Sequence, residues 1–181
     1  MVNVVNKGLR LRIFPDSDMI KVLEQNMGNA RFVWNNILSR YNDLYLLFRS
    51  HNCPLNPSIG NFNAILKMLK QENPFLCEGE STSQQQVFRD LTQAFSKFFK
   101  EGCGYPNFKS KKNPKQSFRI QKNGNNIRVT NRRIRLAKLG YVHYHASSKY
   151  KKLLKSSKNQ QCHCKKRKRQ ILRNSKHRIH S

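Results

Sequence analysis

Lys109, Lys111, Lys112 and Lys115 crowd one short stretch bounded by glycine, proline and asparagine, with no acidic residue close by in the chain. Lysines so placed gain little from the protein itself. Neutralising phosphates, by contrast, releases the counterions condensed on a nucleic acid, so the chemistry this cluster points to is phosphate binding. Arg119, Arg128, Arg132, Arg133 and Arg135 stand beside apolar residues in short alternating runs and extend the same basic stripe. Lys7, Arg10 and Arg12 open a second stripe, in which the two arginines alternate with Leu9, Leu11 and Ile13 and therefore share one face of a strand. These three are candidate nucleic-acid ligands; charge on an edge strand also guards against aggregation, and for the two arginines the two readings stand level.

Cleavage chemistry would need carboxylates gathered around a metal or a water. The nine acidic residues are Asp16, Asp18, Glu24, Asp43, Glu72, Glu78, Glu80, Asp90 and Glu101. They lie in predicted helices or their connections, and no catalytic motif links them. No catalytic residue, no metal ligand and no cofactor is therefore expected. Cys162, His163 and Cys164, with His177 and His180, contain metal-binding atoms, but a Cys-x-Cys spacing suits the usual closed zinc sites poorly. Five cysteines without a disulfide framework fit a reducing compartment.

The charge distribution sharpens this reading. The chain has 36 lysines and arginines against 9 acids, a formal charge of +27, and residues 102–181 contain no acid at all. Such a chain repels itself unless a polyanion neutralises it. Its longest apolar run, Leu44 to Phe48, is far too short to cross a bilayer. A cytoplasmic protein that binds nucleic acid is the expectation.

The elements that position these residues are legible from periodicity. Gly8 to Phe14 alternates as a strand, and Pro15, Asp16 and Ser17 break it and supply helix-start chemistry. From Ile20 to Phe48 apolar residues recur at steps of three and four, which keeps one seam in line along a long helix. Ser58 to Lys70 predicts a second helix, stopped at Asn73 and Pro74. Ser81 to Gln84 matches a capping box that opens a third helix, stopped by Gly102 and Gly104. Trp34, Phe88, Phe95, Phe98 and Phe99 then belong to the core. Beyond Tyr105 the pattern changes to short strands at 117–121, 127–129, 133–136 and 141–145. Asn123 and Gly124 signal a hairpin between the first two, and Tyr105 and Phe108 are expected to anchor the lysine loop.

Several motifs in order resemble one family. Leu11 to Pro15 resembles the R-[LI]-[YF]-P opening of TnpB (OrfB) proteins, transposon-encoded RNA-guided nucleases, and Ala30 to Asn35 looks like their RFVYN helix segment. Ser83 to Phe99 is similar to their SQxLQQxLRDLxxAFxxFF, Gly104 to Lys112 to GYPRFKSKK, Gln116 to Arg119 to QSFR, and Ile134 to Val142 to IRLPKLGWV. Asn107 and Ala137 depart from the pattern, where a basic residue and a proline are usual. The resemblance implies an α+β fold: a small antiparallel β-barrel or sheet, wedge-like, formed by residues 1–15 and 104–158, with a three-helix bundle inserted as residues 16–103. It also implies partners, namely guide RNA and the double-stranded DNA next to the target, and a separate RuvC-like nuclease domain that this chain does not carry. Composition alone supports a general RNA-binding protein of ribosomal-protein type equally well.

After Lys158 the resemblance ends. Residues 159–181 read as a basic, disordered tail. Degenerate codons from Asn159 onward, read one nucleotide later, permit an alternating strand of the kind this family has there. The tail is therefore expected to be an out-of-frame product of a truncated gene, which sequencing the coding DNA would test.

Overall fold

The computed structural model describes residues 11–51, 59–148 and 161–165. The described chain runs β1 (Arg12–Phe14), α1 (Ser17–Ser50), α2 (Ile59–Glu72), α3 (Phe75–Glu78), α4 (Ser81–Glu101), β2 (Ser117–Gln121), β3 (Ile127–Val129), β4 (Arg133–Leu136), β5 (Gly140–His145) and β6 (Gln161–Lys165). The fold is α+β, with four helices and two small antiparallel sheets. It divides into two compact bodies, one containing residues 11–23 and 122–148, the other residues 24–51, 59–121 and 161–165.

In the first body the strands pair in the order β1-β5-β4-β3, all antiparallel. The opening strand thus joins strands more than a hundred residues later, and the helices are inserted between them, as alternation at both ends of the chain suggested. Ile127, Ile134, Leu136, Val142 and Tyr144 are buried on one face. Their neighbours Arg128, Arg133, Arg135, Tyr141, His143 and His145 are exposed, the period-two pattern of a sheet with one wet side. The β4-β5 turn carries Gly140 at φ 76°, left-handed backbone that glycine adopts without a steric penalty.

In the second body α1 and α4 supply most of the core. Met27, Ala30, Trp34, Ile37 and Tyr41 of the α1 seam are buried, joined by Val33 and Leu38, but the seam surfaces at Leu44; Leu23, also buried, is on the part of α1 that belongs to the first body. On α4, Val87, Phe88, Leu91 and Phe95 are buried, and Tyr41 meets Phe95 with ring centroids 4.3 Å apart. Burying a large apolar side chain of this kind contributes roughly 1.5–3 kcal/mol. Asp16 caps α1, its carboxylate accepting the Met19 amide at 2.8 Å. Asn73 ends α2, its backbone and side-chain amides both donating to the Leu69 carbonyl.

Five expectations need correction. The Asn123–Asn126 turn exists, with Gly124 at φ 56°, but β2 and β3 do not pair across it. Instead β3 pairs with β4, and β2 lies against α4 with β6 as its strand partner, so Phe118 and Ile120 are buried in the helical body. Residues 161–165 of the supposed disordered tail form that partner strand, with Cys164 buried and in register with Phe118; residues 166–181 lie outside the described residues. In consequence residues 104–121 cluster with the helices and not with the sheet of the first body. Phe99 is 53% exposed, in the last turn of α4, although its ring stacks on Phe95 with centroids 6.3 Å apart. Finally, α4 is capped one residue earlier than the capping box implied. The buried Glu80 accepts from the Ser83 amide and the Thr82 hydroxyl, while Gln84 turns back to donate to the Leu76 carbonyl at 2.6 Å.

Candidate nucleic-acid interface

The lysine loop of the second body is held by side chains from one stretch of α1. The Trp34 indole donates to the Asn107 carbonyl at 3.0 Å. One turn face further, the Asn35 amide pairs with the Lys109 backbone in both directions: its Nδ2 donates to the carbonyl at 2.9 Å and its Oδ1 accepts the amide at 2.8 Å. At the entry to the loop, Tyr105 packs edge-on against Phe95 and Phe98 and donates its hydroxyl to Asn42 Oδ1 at 2.5 Å. At the exit, Gln116 donates to the carbonyls of Ser110 and Asn113 and accepts from Arg31 at 2.8 Å. Ser110 and Asn113 complete the turn by accepting the amides of Lys112 and Lys115.

This clamp sorts the lysines. Lys109 lays its ammonium 3.7 Å from the centroid of the Trp34 ring, a cation–π contact. Although the residue as a whole is exposed, desolvation of the ammonium against the ring pushes its pKa down; nearby Asp90 opposes the shift and Arg119 adds to it. Lys109 is thus part of the loop's anchorage. Lys111, Lys112 and Lys115 are exposed and make no ion pair among the described residues. Phe108, expected to anchor the loop, is 58% exposed and makes no ring contact among the described residues. Tyr105 does anchor it. Arg119 is half-buried and paired with Asp90 at 3.3 Å, so its charge is answered within the protein.

The first body presents a different basic surface. On the wet face of its sheet, cross-strand register aligns Phe14, His143 and Arg133 in one row, and Tyr141, Arg135 and Arg128 in another. Arg12 stands opposite His145, with its guanidinium 5.2 Å from the Phe14 ring centroid. Arg132 is exposed in the turn closed by Thr130, whose hydroxyl both donates to the Arg133 carbonyl and accepts the Arg133 amide. Among the described residues none of these arginines forms an ion pair. Lys7 and Arg10 lie outside the described residues.

Comparison with known proteins now bears on these surfaces. Residues 1–46 match the family model HTH_OrfB_IS605, a helix-turn-helix domain. The match likens the N-terminal segment, and not the whole chain, to a helix-turn-helix domain of OrfB proteins, a kind of domain that in general binds DNA. No curated protein matches the chain. The described part of the matched segment holds β1 and a single unbroken helix, α1. Arg31, Trp34 and Asn35 fall inside it, so the segment supplies the side chains that hold the lysine loop.

Among the described residues no three His, Cys, Asp or Glu side chains gather as a metal site, and no helix is long and apolar enough to cross a membrane. Reading the sequence for charge missed the positioning residues Trp34, Asn35 and Gln116, as well as Phe14, Tyr141, His143 and His145 on the sheet. An asparagine beside a tryptophan on an apolar helix seam was the available sign of the first group. The alternation of residues 141–145 was the sign of the second.

Proposed function

We propose that this chain is a binding module of an OrfB-type RNA-guided nuclease system, holding guide RNA and the duplex beside the target through phosphate contacts without cutting either. The observation that carries this reading is the clamped loop. Lys111, Lys112 and Lys115 are exposed and unanswered by any carboxylate among the described residues, on a backbone fixed to α1 by Trp34, Asn35 and Gln116 through Arg31. Fixing the backbone removes part of the ordering cost that a flexible lysine tract meets on binding. Residues 102–181, without one acid, give a phosphate chain no repulsive neighbour.

The test is the salt dependence of RNA and duplex DNA binding by the full chain. If about 6–10 phosphates are neutralised, affinity falls by roughly three to five decades between 50 and 200 mM salt. Replacing Lys111, Lys112 and Lys115 together by alanine should lower the slope of log affinity against log salt by about 2–3. An unchanged slope would remove the loop from the interface. Cognate guide RNA bound no better than bulk RNA would favour a general RNA-packaging role, and metal-dependent nicking by the pure chain would refute the non-cleaving part of the proposal.

A further inference from the structure

The wet face of the four-stranded sheet combines exposed aromatic rings with arginines that form no ion pair among the described residues. Its opposite face already forms the buried side, so Phe14 and Tyr141, 42% and 46% exposed, are not leftovers of a core. Strand propensity admits aromatic residues at those positions, and here they leave two rings open to solvent among arginines. Arg128 and Arg135 stand directly opposite each other in the β3-β4 ladder, a like-charge pairing that weakens a sheet. An anion lying across both would relieve that repulsion.

We propose that this face is a platform for unpaired nucleotides, with bases stacking on Phe14 and Tyr141 and phosphates held by Arg12, Arg128, Arg133 and Arg135. The proposal rests on the nucleic-acid-binding reading and specifies the state of the strand. Phe14 is in register with His143, and Tyr141 lies two residues from His143 on the same strand. Their backbone positions are therefore diagonal neighbours on adjacent strands, about 7–8 Å apart. That separation gives each ring its own base. Duplex bases are already stacked on one another and offer only their edges and backbone, whereas single-stranded bases can splay onto aromatic side chains. Arg12 beside Phe14, and Arg135 in the same row as Tyr141, place a guanidinium next to each ring for the phosphate that accompanies a stacked base.

The experiment measures binding of the full chain to labelled oligo-uridine RNA, oligo-thymidine DNA and a blunt duplex of equal length. Phe14→Ala and Tyr141→Ala should each weaken single-strand binding by about 5- to 150-fold and change duplex binding by less than about twofold. Tyr141→Phe, which keeps the ring, should retain wild-type affinity. The ratio of RNA to DNA affinity identifies which strand the platform takes. Because an alanine variant can fail to fold, wild-type protein is also photocrosslinked to 5-iodouracil-substituted strands, where adducts on Phe14 or Tyr141 are expected. Equal losses on single strand and duplex, no loss at all, or adducts confined to residues 105–116 would overturn the platform and leave the lysine-loop reading intact. A wild-type chain that binds neither single strand nor duplex would instead refute that underlying reading.

Discussion

Replacing Asn35 by alanine should separate the scaffold of the lysine loop from its charge. Asn35 carries no charge and points no group at a phosphate; it makes two hydrogen bonds to the Lys109 backbone, of 2.9 and 2.8 Å. Both bonds are exposed, so water replaces them when the amide is removed, and each contributes about 0.5–1.5 kcal/mol net. Their joint loss weakens loop docking by about 1–3 kcal/mol, a factor of roughly 5 to 150 in the docked population. Alanine gains about 0.5 kcal/mol over asparagine in a helix interior, which offsets any cost to α1 itself, so the melting temperature should hardly move. Hydrogen exchange reads the local effect, since the Lys109 amide is the donor that loses its partner. Binding reads the functional one: affinity should drop at every salt concentration while the slope against log salt stays at the wild-type value, because the same lysines still meet the same phosphates. An unchanged exchange rate at Lys109, or a slope that falls as it does for the lysine variants, would refute the claim that Asn35 acts by fixing the loop.

Arg128→Thr should stabilise the free protein by about 0.2–1 kcal/mol by removing the cation opposite Arg135, and the gain should shrink as salt screens the pair. Thermal melts at low and high ionic strength check this, and the same variant should bind single strands less tightly. Tyr41 has its pKa pushed up to about 12, first by burial and then by the neighbouring Tyr105 and Tyr45. An unfolded tyrosine ionises near pH 10 while the folded one stays neutral, so the stability this group contributes is complete below pH 10 and is lost between pH 10 and about 12. Tyr41→Phe should flatten that part of the stability profile, as measured by denaturant melts across the range; an identical decline in both proteins would contradict it.

What could be read from the sequence follows the range of the interaction involved. Alternation at residues 11–14 and 141–145 reports which side of a strand is wet, a property of neighbouring residues, and it placed both strands and the exposed side of Arg12. The α1 seam was legible for the same reason, up to the point where burial ends near Leu44. Pairing is another matter. Asn123 and Gly124 specify a turn, but a turn does not specify that its flanking strands meet, and β2 finds its partner in β6 some forty residues on. Arg119 and Asp90 show the same limit at the level of charge: no spacing rule links residues on a strand and a helix so far apart in sequence, yet their ion pair takes one predicted phosphate ligand out of the free surface. Residues 161–165 were misread because the lysines that follow dominate the composition, whereas Gln161 to Lys165 needs only its backbone and Cys164 to complete the ladder on β2.

The two basic surfaces differ in the physics by which they hold nucleic acid. Lys111, Lys112 and Lys115 are compact, strongly hydrated charges, and their contribution comes from counterion release, which vanishes as salt rises. Phe14 and Tyr141 contribute by stacking, which releases no counterion, and the arginines around them are weakly hydrated and can stack as well as pair. Affinity that survives high salt therefore belongs to the stacking rings of the sheet face, and affinity that disappears belongs to the phosphate contacts of the loop lysines and the sheet arginines together. Since a duplex can use the loop but cannot unstack onto the sheet at no cost, raising salt should convert a protein that binds every polyphosphate into one that selects unpaired strands.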